Sequence, residues 1–219
     1  MLATLRSWLG SEAQEGARQR SGAQALHAAI VAAARRPALF VALGVPDSLD
    51  GRFEAVALHA WLALRRLRAA PDDPARRAER ALAQDLVDVL IRDFDRSLRE
   101  MGAGDLGVGR RVKDMAKAMN GRIAAYDAGL DAPGGAATAG PAGAAGAAED
   151  ALQAALRRNL YGTVAAPDPG QVAAVAAYLR EAAAALSGSP LADLAAGRLP
   201  LPPLPVPGAR STAEAGDAG

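Results

Sequence analysis

The chain has 219 residues, a formal net charge of +1, two histidines and no cysteine. The length allows one or two domains with enough material for a core, and the absence of thiols excludes disulfides, thiol catalysis and cysteine-ligated metals. Two histidines are too few for a structural zinc site, and the small net charge provides no overall field for nucleic acid. No apolar run approaches the roughly 20 residues that span a bilayer, so we expect a cytoplasmic chain. Because the net charge is small, we expect no DNA partner.

The N-terminal extension, residues 1–16, is too briefly apolar and too soon charged for a secretory signal. We expect it to fray or to dock on the core rather than to act as a membrane foot. The first helix of the main domain is predicted over residues 18–36, since Pro37 forbids its continuation. An apolar turn and a loop follow over residues 38–51. If the extension forms a helix, one side of it carries Leu2, Leu5, Trp8 and Leu9.

The second predicted helix covers residues 52–68 and is apolar on two sides, which is typical of a helix sandwiched inside a bundle. The connection after it offers Asp72 or Asp73 as an N-cap and Pro74 for the first turn of the third helix. One side of the second helix carries Phe53, Val56, Ala60, Leu64 and Leu67, and the other carries Leu58 and Leu62.

The third predicted helix covers residues 75–101 and is followed by Gly102, Gly104 and Gly107 in the spacing G-x-G-x-x-G. That spacing indicates a dinucleotide site only where a strand enters it and a helix leaves it. The residues before it have helical spacing, so we interpret the glycines as a turn between two helices. The helical apolar positions are Leu82, Leu86, Leu90, Phe94 and Met101.

The fourth predicted helix, residues 108–130, has the most regular amphipathic pattern in the chain. A flexible linker of small residues follows over 132–148, then helices over 149–162 and 168–186, and then a Pro-rich disordered tail over 188–219. The prediction is an all-α, compact bundle of about six helices in a single domain over residues 17–187. The stripe on the fourth helix is Val108, Val112, Met115, Met119, Ile123, Tyr126 and Leu130.

Acidic and basic side chains alternate along the third helix in steps of three and four. Carboxylates in that arrangement can hold Mg²⁺ and a diphosphate, but alternating charges also stabilise a solvated helix, and no second acidic motif occurs. We favour ion pairs and expect no metal, cofactor or catalytic residue. The alternating residues are Asp85, Asp88, Arg92, Asp95 and Arg99.

We expect structural rather than catalytic roles for Asp93 and His59. Asp93 projects among apolar positions, so its carboxylate needs a partner, and we expect an arginine from a neighbouring helix. His59 has no acid beside it in sequence, and we interpret it as a structural helix residue rather than a base.

The polar side of the fourth helix is the candidate binding surface. Its cations have the spacing that contact with phosphate requires, but acidic residues dilute the field, no aromatic residues interleave, and a solvated face without a partner stays the alternative. Gly121 costs about 1 kcal/mol inside a helix, and it lies opposite the apolar stripe, which indicates close approach of another molecule. Asp105 is expected to cap the helix. The candidate client- or partner-binding residues are Asp105, Arg110, Arg111, Lys113, Lys117, Gly121 and Arg122.

Three blocks of this sequence resemble the ubiquinol–cytochrome c chaperone family. The first block is residues 34–68 and the second is residues 82–130, with the specific run "DFDRSLREMGAGDL" at 93–106. A weaker match is "ALRRNLYG". The resemblance interprets the glycines after the third helix as the family's helix–helix turn.

The resemblance implies an all-α, non-enzymatic chaperone that binds newly made cytochrome b and helps assemble the respiratory ubiquinol–cytochrome c reductase. It also implies a small partner protein, docking near the ribosomal exit and peripheral contact with the inner membrane on its cytoplasmic side. The arginine- and alanine-rich composition is typical of a bacterial member. Two alternatives stay open: a Mg²⁺-dependent helical isoprenoid- or lipid-handling enzyme using Asp85, Asp88 and Asp95, and a ribosome- or RNA-binding module.

Overall fold

The computed structural model describes residues 20–69, 73–100, 105–132 and 150–205, and for residue 98 and residues 105–116 it describes the backbone alone. These residues form helices, turns and loops and contain no strand, which confirms the all-α prediction. The helices are α1 (20–34), α2 (Pro37–Val41), α3 (Leu49–Leu67), α4 (Arg77–Glu100), α5 (Asp105–Asp131), α6 (Ala151–Arg158), α7 (Pro169–Ser187) and α8 (Leu191–Ala195), with a 3₁₀ turn at Pro74–Arg76.

Helix α3 is the centre of the bundle, as its two apolar sides predict. It packs against α4, α5 and α7, and buried side chains occur on every face of it. Its start is fixed by Ser48, whose Oγ accepts a hydrogen bond of 3.2 Å from the Gly51 backbone N–H. Gly51 is required there because a Cβ would lie 2.0 Å from the Pro46 carbonyl oxygen. The loop before α3 therefore packs directly on its first turn.

Helices α3 and α5 lie side by side and run in the same direction. Residue numbers rise together along both helices at three successive contacts, the first an ion pair, the second an aromatic pair and the third another ion pair. The aromatic rings have centroids 5.3 Å apart. From the start of α3 to its end, the contacts join Glu54 to Arg122, Trp61 to Tyr126, and Arg65 to Asp131.

Helix α4 ends at Glu100 and α5 begins at Asp105, so the glycine motif connects two helices and no strand enters it. The start of α5 precedes the predicted one at Val108, and Gly107 lies inside the helix. Asp105 is thus the first helical residue, and its proposed capping side chain lies outside the described side chains. The predicted stripe is confirmed where side chains are described, because Met119 and Tyr126 are buried.

The connection before α4 follows the predicted capping chemistry. The Asp73 carboxylate accepts a hydrogen bond of 2.9 Å from the Ala75 backbone N–H, and Pro74 begins the 3₁₀ turn. Helices α2 and α8 were not predicted, since five residues are too few to show a helical period. Each has one fully buried leucine, Leu39 and Leu194, which anchors it to the core.

The boundary predicted for the C-terminal tail, residue 188, is wrong. Residues 188–205 contain α8 and an extended segment whose leucines pack against the core, because every second or third residue there is apolar. Arg36 Nη1 also donates a hydrogen bond of 3.3 Å to the Pro202 carbonyl. The remainder of the tail, the N-terminal extension and most of the linker lie outside the described residues. The packed leucines are Leu199, Leu201 and Leu204.

His59 has the structural role predicted for it. Its side chain is buried, and Nδ1 donates a hydrogen bond of 2.8 Å to the Ala55 carbonyl. Nε2 accepts one of 3.1 Å from the Tyr178 hydroxyl, which in turn accepts from Arg36 Nη2 at 2.5 Å. Burial lowers the pKa of His59 to about 4, so the ring is neutral and this tautomer is retained near neutral pH.

Candidate functional site

A groove of about 680 Å³ opens between the end of α1, the first half of α3, the end of α4, the middle of α5 and the turn after α6. Five separate parts of the chain form its walls, so it exists only in the folded bundle. Much of its lining is apolar, and Leu49, at one edge, leaves 61% of its surface exposed. The apolar lining includes Val31, Ala34, Leu49, Phe53, Val56, Phe94 and Leu160.

Phe53 on α3 contacts two other side chains that line the groove. Its ring lies 5.0 Å from the ring of Phe94 on α4, and the Arg122 guanidinium lies 5.3 Å above its centroid. Aromatic pairs and cation–aromatic contacts of this geometry are attractive. One side chain of α3 thus contacts both α4 and α5 within the lining of the groove.

A two-pronged ion pair lies beside Phe53. Arg122 Nε donates to Glu54 Oε2 at 2.5 Å, and Arg122 Nη2 donates to Glu54 Oε1. The Glu54 side chain is only 8% exposed and that of Arg122 20% exposed. Burial raises the pKa of the Glu54 carboxyl above its usual range although Arg122 opposes the shift. The hydrogen bonds that Arg122 donates to Glu54 in turn raise the pKa of Arg122, which stays charged.

The rim of the groove carries charges of both signs. Arg52 forms an exposed ion pair of 2.7 Å with Asp47. Arg35 and Arg158 also line the groove, are exposed, and form no salt bridge with another described residue. Asp50 and Asp93 are the acidic rim residues. Two unneutralised guanidinium groups therefore flank the apolar lining.

The partner predicted for Asp93 is wrong. Its carboxylate lies 3.5 Å from His27 Nε2 on α1, not against an arginine, and its side chain is 38% exposed. The apolar arc that was expected to bury it opens into the groove, so the cost of burying a charge does not apply. Burial lowers the pKa of His27, so near neutral pH the contact is between a neutral ring and a carboxylate.

The predicted binding surface on α5 coincides with the groove in part. Arg122 lines the groove, whereas Lys117 and Gly121 are exposed beside it, one position before the groove-lining Ala118 and Arg122. A Cβ at Gly121 would meet no atom of the described residues within 4 Å, so no helix in the described part of the chain requires this glycine. The other candidates, Asp105, Arg110, Arg111 and Lys113, lie outside the described side chains.

The acidic positions on α4 behave as a solvated helix face. Arg99 Nε donates a hydrogen bond of 2.8 Å to Asp95 Oδ2, and Gln84 donates to Asp88 at 3.3 Å. Within the parts of the chain that are described, no three histidine or acidic side chains lie close enough together to hold a metal ion. The ion-pair interpretation of this helix is thus confirmed at Asp95 and Arg99.

A larger cavity of about 1050 Å³ lies between the ends of α3, α5 and α7, and most of its arginines are already neutralised. Arg65 contacts Asp127 at 2.7 Å, and Arg180 contacts Asp150 at 2.7 Å. Arg66 contacts Glu79 at 3.1 Å and also donates a hydrogen bond of 2.6 Å to the Ser189 carbonyl. These contacts hold neighbouring helices together, so the arginines of this cavity already have structural partners. The groove around Phe53 is therefore the better candidate for binding.

Sequence reasoning did not identify Glu54, Arg35 or Arg158 as members of a site. The available signal was Glu54, the one carboxylate in the predicted helix over residues 52–68, which needs a partner where it is buried. Its partner became visible only once α3 and α5 were aligned. Arg35 and Arg158 belong to helix ends, where basic residues are ordinary.

The comparisons with known proteins agree with this architecture. The family model described as "Ubiquinol-cytochrome C chaperone" matches residues 41–201. The crystal structure of the Cbp3 homologue from Brucella abortus is similar, with 32% sequence identity and a TM-score of 0.70, covering 90% of this chain and 97% of that chain. No curated protein matches the chain. None of the helices in the described residues is both long and apolar enough to cross a membrane. The chain belongs to the ubiquinol–cytochrome c chaperone family.

Proposed function

We propose that this chain is a non-enzymatic assembly chaperone that binds newly made cytochrome b and promotes assembly of the ubiquinol–cytochrome c reductase. The observation that carries the proposal is the groove around Phe53, in a chain of this family. A nascent membrane protein exposes apolar helices, and an open groove with an apolar floor can cover such a helix until it is assembled.

The edge of α5 supports the same function. Lys117 is exposed, and Gly121 leaves open space beside the groove, so a bound helix can approach the α5 backbone closely. Client contact then extends from Phe53 and Arg122 onto Lys117 and Gly121. We include Asp105, Arg110, Arg111 and Lys113 in this surface because they precede Lys117 on the same helix.

The proposed place of action is the cytoplasmic side of the inner membrane, where nascent cytochrome b leaves the ribosome. Contact with the membrane is peripheral in this proposal. A small partner protein and the ribosomal exit region are the further partners that we propose, on the family resemblance.

Deleting the gene tests this function. We expect assembled cytochrome b, measured by reduced-minus-oxidised difference spectra of membranes, to fall while an unrelated respiratory complex keeps its activity. Wild-type protein supplied from a plasmid should restore the spectrum. Normal cytochrome b in the deletion strain would contradict the proposal.

A further inference from the structure

We propose that Arg122 is the anchor for a carboxylate carried by an apolar client helix, and that Glu54 occupies Arg122 until such a helix binds. This inference rests on the proposed function and adds the chemistry of the bound segment. It predicts that the preferred client segment is an apolar helix with one acidic side chain, rather than a purely apolar one.

The geometry of the ion pair supports an exchange of carboxylates. Arg122 presents one edge of its guanidinium group, Nε and Nη2, to the two oxygens of Glu54. That edge matches any carboxylate in the same way, so an incoming acidic side chain can take the same place. Arg122 lines the groove and keeps 20% of its side chain exposed, so a ligand reaches it from the open side.

Glu54 is poorly placed for a permanent ion pair. Its side chain is almost completely buried, and burying two charges costs both of them their hydration, which their attraction repays only in part. Displacing Glu54 from Arg122 leaves a buried carboxylate without a cation, so the exchange requires Glu54 to take up a proton, which its burial favours. Asp50, on the same helix, adds a second negative charge that further disfavours an ionised Glu54.

Tyr126, a buried tyrosine next to the ion pair on α5, provides a second observation in support of the exchange. Its side chain is fully buried, and its hydroxyl has no hydrogen-bond partner among the described residues. It lies one helical turn after Arg122. The charges of Glu54, Arg122 and Arg158 all influence the pKa of its hydroxyl. The nearby Glu54 charge and burial both keep the phenol protonated. We expect a Glu54 carboxyl that Arg122 releases to use this hydroxyl, which lies on the next turn of α5, as its hydrogen-bond partner.

Charges around the groove favour an acidic segment over a basic one. Arg35 and Arg158 flank the lining without salt bridges to described residues, and their guanidinium groups attract an approaching carboxylate. Asp93 and Asp50 oppose this attraction at two points of the rim. The lining as a whole has four arginines against three carboxylates. We therefore assign the anchoring role to the half-buried guanidinium of Arg122 and only the guiding role to the rim.

Two designed helical peptides test the inference on the purified full chain. They consist of leucine and alanine and differ at one central position, glutamate in one and glutamine in the other. Fluorescence anisotropy gives the Kd of each peptide for the wild type, for Glu54→Gln and for the double variant Glu54→Gln/Arg122→Gln. The double variant removes both charges together, so it leaves no buried ion without a partner. Arg198→Gln is the matched control, since it removes an arginine of an exposed ion pair outside the groove.

The wild type should bind the glutamate peptide about tenfold more tightly than the glutamine peptide. Glu54→Gln should increase that preference, because Arg122 is then free of its competing carboxylate. The double variant should bind both peptides equally, and Arg198→Gln should behave as the wild type.

Three results would overturn the inference. Equal binding of both peptides by the wild type would mean that the groove binds apolar helices without recognising a carboxylate. Weaker binding of the glutamate peptide by Glu54→Gln would mean that Glu54 supports the bound state. Displacement of the glutamate peptide by phosphatidylglycerol vesicles, with tighter vesicle binding that depends on Arg122, would assign the anchor to a lipid. None of them affects the deletion phenotype, on which the proposed function is judged separately.

Discussion

Trp61 on α3 donates its indole N–H to the Asp127 carboxylate on α5, at an Nε1–Oδ1 distance of 2.8 Å. The indole is fully buried, and the same carboxylate oxygen also accepts from Arg65 Nη1 at 2.7 Å. Because the neighbouring Trp61 and Tyr126 rings are in contact, this hydrogen bond aligns the two helices that form one side of the groove.

Replacing Asp127 by alanine should lower the free energy of unfolding by about 2 kcal/mol, since a buried indole N–H loses its acceptor. Arg65 keeps its contact with Asp131 and contributes little, because its side chain is about one-third exposed. Asp127→Asn keeps an oxygen for Trp61 and should lose about half as much. Chemical denaturation with both variants measures this, and an Asp127→Ala variant as stable as the wild type would contradict the assignment.

Two glycines of α5 provide a matched pair with opposite expected effects. Among the described atoms, a Cβ at Gly121 meets none within 4 Å, whereas a Cβ at Gly129 would lie 2.7 Å from the Leu152 Cα on α6. Gly121→Ala should stabilise the chain by up to about 1 kcal/mol through helix propensity. Gly129→Ala should destabilise it by about 1–3 kcal/mol through overpacking. Thermal melts of both variants decide, and a lower melting temperature for Gly121→Ala would show that a neighbour occupies that space.

The same Gly121→Ala variant should bind the client less tightly, because its methyl group fills the approach to the α5 backbone. Lys117→Glu should also weaken binding while the fold is retained, since Lys117 is exposed. Co-purification of cytochrome b with each variant measures the effect. Gly129→Ala is not a suitable control here, because it is expected to destabilise the fold. Arg198→Glu, a charge reversal at an exposed position outside the groove, is the control. Unchanged co-purification by both Gly121→Ala and Lys117→Glu would remove this edge from the binding surface.

Acid should destabilise the chain partly through His59. Burial lowers its pKa from 6.5 to about 4, so between these values the unfolded chain binds a proton that the folded chain does not. The stability from this group is complete above pH 6.5 and is lost as the pH falls towards 4, to a total of about 3 kcal/mol.

Comparison with His59→Gln isolates that contribution, because other groups titrate alike in both proteins. The variant should be less stable at pH 7, since glutamine cannot reproduce both hydrogen bonds of the imidazole. The difference in unfolding free energy between wild type and variant should shrink by about 2 kcal/mol from pH 7 to pH 5. A difference that stays constant over this range would show that His59 is not held neutral by burial.

The parts of the structure that follow from local chemistry were predictable from the sequence. Helices α4 and α5 have apolar residues at helical spacing over many turns, and Asp73 and Pro74 mark a helix start. Because α3 is apolar on two sides, its sequence predicts a helix packed between others. The short helices α2 and α8 and the packed segment near Leu201 were not predictable, since each depends on burying single leucines against distant helices. The same limit applies to the tail boundary.

The site was predictable only in outline. Arg122 was identified by its place on α5, but its ion pair with Glu54 depends on the parallel alignment of α3 and α5, which no local pattern encodes. Asp93 was assigned to an arginine because its helix face looked buried, whereas that face opens into the groove and meets His27. A sequence shows which charges need partners, and the packing of the helices decides which partners they find.

Site-specific photocrosslinking in growing cells is the most direct test of client binding in the groove. A photoreactive amino acid at Leu49, on the open edge of the groove, should crosslink to newly made cytochrome b, identified by mass spectrometry. The same group at Arg198, which is exposed outside the groove, should give no such product. Cytochrome b crosslinked equally from both positions, or from neither in cells that assemble the complex normally, would contradict the account.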